Sequence, residues 1–174
     1  GIVPTSSTIN QLSIGDALAV AVLNKKNINK KDFKKFHPSG NLGAQLRTVE
    51  ELMITGSKIP FVNENLNMKK ALQIISNKKL GTLIVQNSMK ITTGIITDGQ
   101  IRRVNAMSNN LQDLSVKKVM TKNPVSINQD TLAEKALSIM NAKKITSLCV
   151  HKDKNKKKTV GILHIHNILQ SNIH

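Results

Sequence analysis

Hydrophobic positions along the chain fall into three kinds of run. Between Leu12 and Leu23 they occupy nearly every face of a helical wheel, with Asp16 the only charge. A helix that is apolar all round calls for burial on all sides. Over Leu66–Lys79 the apolar residues Leu66, Ala71, Leu72 and Ile75 trace one helical face, and Leu132–Lys144 repeats that character. Each of these helices leads into a short unbroken apolar run, Gly81–Val85 and Thr146–Val150, which reads as a buried strand. After a turn at Gln86–Lys90 and a lysine loop at Lys152–Lys158, the chain returns in strands Ile91–Ile96 and Val160–Leu163. Helices Ile101–Met107 and Asn167–Ile173 close the two segments, and Asn109–Lys118 links them.

The two segments are copies. Leu-Met-Ile-Thr-Gly-Ser-Lys-Ile-Pro-Phe-Val around Met53 matches Val-Met-Thr-Lys-Asn-Pro-Val-Ser-Ile around Met120, and Gly94 matches Gly161. A separation of 67 residues holds for both the Met pair and the Gly pair. A fixed internal period is the first thing to seek in a sequence, and two copies are too few for a solenoid. The pattern predicts two small modules packed on each other, each a three-stranded sheet under two helices. One such unit is small for a stable core, which gives a reason for the pairing.

Composition narrows the classes. The chain has 174 residues, 39% of them hydrophobic, and no apolar run long enough to span a bilayer. Its start shows no basic region followed by an apolar segment, so no secretory signal is expected. The chain begins at Gly1 without an initiator Met, as a processed chain or part of a longer one would. The single Cys149 lies in an apolar run and reads as a buried core thiol. With no disulfide framework, a reducing cytoplasmic setting is expected. A formal charge of +16 invites a nucleic-acid reading. The lysines are scattered, however, Arg is scarce, and Trp and Tyr are absent. Single-strand binders stack bases on aromatic side chains, so no nucleic-acid partner is expected. Lys152–Lys158, the densest basic run, reads as a solvated hairpin loop.

Residues 1–48 stand apart from the repeat. The hydroxyl-rich Pro4-Thr5-Ser6-Ser7-Thr8 precedes the apolar helix, where side-chain oxygens can cap free backbone amides. A helix start also favours anions. Nothing upstream in the chain can cover Leu12–Leu23, which suggests a larger domain lacking its front. After the polar Asn24–Lys35 comes Phe36-His37-Pro38-Ser39-Gly40-Asn41-Leu42-Gly43, a tight loop in which His37 could move protons.

Val119-Met120-Thr121 with Pro124-Val125, and the Gly-hydrophobic-hydrophobic endings, resemble a pair of cystathionine-beta-synthase (CBS) domains. The whole chain resembles the C-terminal part of the arabinose-5-phosphate isomerase family, in which a sugar isomerase (SIS) domain precedes a CBS pair. That resemblance rests on residues 4–8, Gly15-Asp16-Ala17-Leu18-Ala19-Val20, Asp32-Phe33, Phe36-His37-Pro38, Leu42-Gly43, Gly94–Gly99 with Arg102-Arg103, and His164-Ile165-His166 with Ile168-Leu169. It implies an α/β chain: residues 1–48 the helical end of a doubly wound SIS domain, 49–110 the first CBS domain, 111–174 the second. It further implies interconversion of D-ribulose 5-phosphate and D-arabinose 5-phosphate, supplying lipopolysaccharide synthesis, through an enediol and with no redox cofactor or metal. His37 falls on the family's active-site His, and Thr5, Ser6, Ser7 and Thr8 fall beside its sugar-phosphate site. A homo-oligomer is expected.

Two departures bear on function. The family's catalytic Lys and Glu and its main phosphate loop fall upstream of Gly1, so the 174-residue chain alone is expected to be inactive. CBS modules that bind adenosine nucleotides often place Asp three residues after a Thr or Ser. Here Thr97 is followed by Gln100, and His164 by Asn167. An amide still bonds a ribose hydroxyl, but the stronger charge-assisted bond is lost. Ser39 also replaces a usual Gly in the His37 loop. The rival readings are a free-standing CBS module sensing an adenine nucleotide, and a CBS dimerisation platform docked through Leu12–Leu23.

Overall fold

A computed structural model describes residues 3–28, 32, 46–107, 110–152 and 158–171. The chain forms two compact units, Gly1–Leu46 and Arg47–His174.

In the first unit, helix α1 runs from Thr5 to Lys25 and has no buried residue. Ile9, Leu12, Ile14 and Leu18 are each more than 60% exposed. The expected hydroxyl cap is not what forms. Pro4 takes the N-cap position without a side-chain cap bond. Ser7 and Thr8 lie inside the first turns and donate back to the Pro4 carbonyl, at 3.1 and 2.7 Å. Proline brings no N–H to the helix mouth, so the helix starts one turn earlier than hydroxyl capping requires.

The second unit holds both modules. The first contains α2 (Val49–Leu52), β1 (Ile54–Thr55), a 3-10 turn (Gly56–Lys58), β2 (Phe61–Asn63), α3 (Met68–Lys78), β3 (Thr82–Gln86), β4 (Thr92–Thr97) and α4 (Asp98–Met107). After a second 3-10 turn (Leu111–Asp113) the second contains α5 (Val116–Val119), β5 (Thr121–Lys122), β6 (Ser126–Asn128), α6 (Ala133–Lys143), β7 (Ser147–His151), β8 (Gly161–His164) and α7 (Ile165–Leu169). Helix α3 starts where Asn67 accepts from the Lys70 amide, at 3.1 Å. Helices α3 and α6 end alike, on left-handed Lys79 and Lys144.

The sheets have four strands each, not the three expected. Their orders are β2-β3-β4-β5 and β1-β8-β7-β6. The fourth strand of each comes from the other module: β5 pairs antiparallel with β4, and β1 with β8. The exchange explains the repeated Met and Gly. A Cβ on Gly94 would lie 2.5 Å from Met120 Sδ, and a Cβ on Gly161 would collide with Met53 Sδ. Each module's methionine therefore occupies the space above the other module's bare strand glycine. The short helices α2 and α5 are pinned the same way. Val49 donates to the Thr131 carbonyl and Val116 to the Leu66 carbonyl, both at 2.8 Å.

Equivalent residues also meet where the modules face each other. The hydroxyls of Thr82 and Ser147 lie 3.2 Å apart and buried, and Thr92 Oγ1 donates to Thr159 Oγ1 at 2.8 Å. Ile59, Ile84, Cys149 and Ile162 form a shared core between the modules. Burial pushes the Cys149 thiol up to about 12, and a hydrogen bond with Thr159 only partly opposes this. A buried, protonated thiol of this kind is inert.

Candidate functional site

The exchange of strands leaves a cleft of about 560 Å³ between the modules of the second unit. That size suits a small-molecule ligand. One wall is the turn after β5, with Asn123, Pro124 and Val125. Another is the entry to β7, from Lys144 to Ser147, with His164 at the end of β8. The first module supplies Leu80, Gly81, Ile95 and the start of α4.

Local rules place these groups. Lys144 adopts φ 52° to end α6, which turns the chain sharply into the cleft wall. Gly81 sits at φ +59°, and a Cβ there would lie 2.6 Å from Asp98 Oδ2. Only glycine meets both the left-handed backbone and the close approach of the carboxylate. Asp98 opens α4, where a negative charge faces the positive end of the helix dipole, and its amide donates to the Gly81 carbonyl at 3.0 Å.

Leu80, Ile95, Pro124, Val125 and Ile145 give the cleft apolar walls, while Arg102, Arg103 and Lys144 outnumber the one carboxylate, Asp98. This combination suits a flat apolar group joined to an anion. The arginines carry a signal beyond the family resemblance. The chain has only three Arg, at 47, 102 and 103, against many lysines. Two of the three therefore adjoin at this cleft. A guanidinium fork binds phosphate in two-pronged fashion where an ammonium acts as a point charge.

The residues singled out in sequence separate. Thr97 and His164, from the ends of β4 and β8, both line the cleft. Gln100 instead donates through Nε2 to the Val119 carbonyl at 3.1 Å and accepts from Arg103 Nη2 at 2.8 Å. Its amide thus ties α4 to the exchanged segment and steadies a cleft arginine. Asn167 Oδ1 accepts from the His164 amide at 3.2 Å, and His164 Nδ1 accepts from the His166 amide at 3.3 Å, together capping α7. Burial lowers the His164 pKa first, and the nearby His166 lowers it further. Thr5, Ser6, Ser7 and Thr8 are exposed on α1 in the first unit. His37 and Ser39 lie outside the described residues. Among the described residues, no helix is long and apolar enough to cross a membrane, and no cluster of His, Cys, Asp and Glu could hold a metal ion.

The model of the CBS domain family matches residues 49–106 and again 116–173. The chain belongs to the CBS domain family. Over 99% of its length this CBS pair is 40% identical to arabinose 5-phosphate isomerase KdsD of Salmonella typhimurium, covering 52% of that protein. With KdsD of Francisella tularensis it shares 41% identity over 96% of its own length and 50% of the other's. The chain thus spans about half the length of these relatives, and the half it matches is the C-terminal one.

Solved structures agree on the fold. The CBS-domain protein ATU1752 of Agrobacterium tumefaciens superposes with a TM-score of 0.67 at 19% identity, over 74% of this chain and 96% of that one. CBSX2 in complex with AMP gives a TM-score of 0.61 at 21% identity, over 72% and 95% of the two chains. The CBS pair of MJ0100, in complex with 5-methylthioadenosine and S-adenosyl-L-methionine, gives 0.63 at 18%, over 72% and 94%.

Proposed function

We propose that this chain is the regulatory C-terminal portion of an arabinose 5-phosphate isomerase of the cytoplasm, and that its cleft binds a phosphorylated adenine nucleotide. The observation that carries the ligand reading is the Arg102–Arg103 pair beside apolar walls, in a chain that otherwise relies on lysine. The adenosine ligands of CBSX2 and MJ0100 support it. In this reading Pro124, Val125 and Ile145 sandwich the base, and the arginines meet the phosphate. Thr97 and His164 offer polar contacts between them. Because Gln100 and Asn167 have bonding partners of their own, the ribose is held less firmly than by a carboxylate.

Isothermal titration of the chain with AMP, ATP and S-adenosylmethionine tests the proposal. AMP should bind, and Arg102→Ala with Arg103→Ala should weaken it by about ten- to a hundredfold, since a hydrogen bond to a charged group contributes roughly 1.5–3 kcal/mol. No heat with any adenosine ligand would sink the reading.

The identity to KdsD over almost the whole chain supports the isomerase context. There, residues 1–48 are the end of the SIS domain, Thr5 to Thr8 lie by the sugar phosphate, and His37 takes part in the chemistry. The chain alone, at half the relatives' length, would not interconvert ribulose and arabinose 5-phosphates. Measurable turnover by the purified chain would overturn that part. The engaged amides of Gln100 and Asn167 favour a second reading, in which the pair serves packing and self-association and the cleft takes no nucleotide.

A further inference from the structure

The modules are related by a local two-fold, so the cleft has a symmetry-related counterpart. The hydrogen bonds define its residues. Ile84 donates to the Pro60 carbonyl at 3.0 Å as Cys149 donates to the Val125 carbonyl at 3.1 Å. Pro60 therefore stands where Val125 stands, and Ile59 where Pro124 stands. Asp98 donates to the Gly81 carbonyl at 3.0 Å as Ile165 donates to the Thr146 carbonyl at 2.9 Å. Ile165, Leu169 and Gln170 thus replace Asp98, Arg102 and Arg103.

The two sides have diverged in shape as well as charge. Met120 and Pro124 are four residues apart, whereas Met53 and Ile59 are six apart. The extra length forms the Gly56–Lys58 turn, entered through Gly56 at φ +62°. Lys78 Nζ closes it by donating to the Ser57 carbonyl at 2.7 Å. The result drives Ile59 inward, to 6% exposure, among Ile84, Cys149 and Ile162. Pro60 is buried too, while Pro124 and Val125 are half-buried along the open cleft. The second position is therefore filled by the chain's own side chain and lacks the guanidinium pair.

We infer that the CBS pair takes up one anionic ligand per chain, in the Arg102–Arg103 cleft alone, its counterpart being closed by Ile59 and carrying Leu169 and Gln170 in place of the two guanidinium groups. Only the identity of that ligand rests on the nucleotide reading. Two-dimensional amide NMR of the full chain tests it with two probes, AMP and inorganic pyrophosphate. Gly99, Arg103 and Ser147 report on the first cleft, and Ile59, His166 and Gln170 on the second. Shifts in the first set alone, saturating at one ligand per chain and abolished in R102A/R103A, are expected. Shifts of comparable affinity in both sets, or binding that moves to the second set in R102A/R103A, would overturn the inference. If pyrophosphate shifts the first set and AMP shifts nothing, the adenine reading falls and the single cleft stands. If neither probe shifts either set, both fall.

Discussion

Gly94→Ala tests the reciprocal exchange of strands directly. Gly94 has no positive φ, so alanine fits its backbone. On backbone grounds alone the change should stabilise the fold by about 0.4–1 kcal/mol, by restricting the unfolded chain. The exchange predicts the opposite sign. The new methyl would lie 2.5 Å from Met120 Sδ, 2.8 Å from its Cγ and 3.0 Å from its Cβ. Ordinary carbon contacts need about 3.5–4.0 Å. A flexible thioether can swing aside, but a Cβ moves only with its backbone. That backbone leads into Thr121, which pairs with Ile95. Overpacking of this kind costs roughly 1–3 kcal/mol, which against that gain leaves a net loss of up to about 2.5 kcal/mol. Urea unfolding of the wild type, Gly94→Ala, Met120→Ala and the double variant measures it. Met120→Ala alone should cost about 2 kcal/mol, the low end for a methionine that is only partly buried. The double variant should fall short of the sum by at least about 1 kcal/mol, the signature of groups in contact. Gly161→Ala with Met53→Ala should reproduce the pattern. A stabilised Gly94→Ala, or effects that simply add, would refute the reciprocal packing.

Three further outcomes follow from the same structure. Thr82→Val leaves the buried Ser147 hydroxyl without its partner and should cost about 1–3 kcal/mol in urea unfolding, while pairing it with Ser147→Ala should recover most of the loss. Because the fold lowers the His164 pKa, the unfolded chain binds the extra proton first as pH falls through the ordinary value of 6.5. Stability should therefore be lower at pH 5.5 than at pH 7.5, and His164→Asn should flatten that slope in denaturant midpoints measured at each pH. Cys149, with its pKa raised to about 12, should resist thiol reagents at pH 8 until the chain unfolds; fast labelling of the native protein would contradict its burial.

Periodicity located the regular elements well where a face repeats. The helix expected over Leu66–Lys79 forms at Met68–Lys78, and the run Thr146–Val150 becomes Ser147–His151. The exchanged strands β1 and β5 were invisible to this reading. Each is two residues long, and its partner lies in the other module. No local pattern encodes such a pairing. Helix α4 starts at Asp98, three residues before the expected Ile101, with the Asp98 amide bonded to the Gly81 carbonyl, a contact that no local pattern encodes. Of the cleft, Thr97 and His164 could be picked from the repeat, whereas the engagement of Gln100 and Asn167 depends on folded neighbours. The arginines were legible all along, in their rarity.

Interleaving the two copies constrains how such a chain can change over time. Neither copy could be lost, since its removal would take an edge strand from the survivor and uncover a strand glycine. Duplicated parts are usually free to drift apart or vanish. Here the seam holds both in place, while the two mouths beside it have diverged, one basic and open and the other walled up with isoleucine.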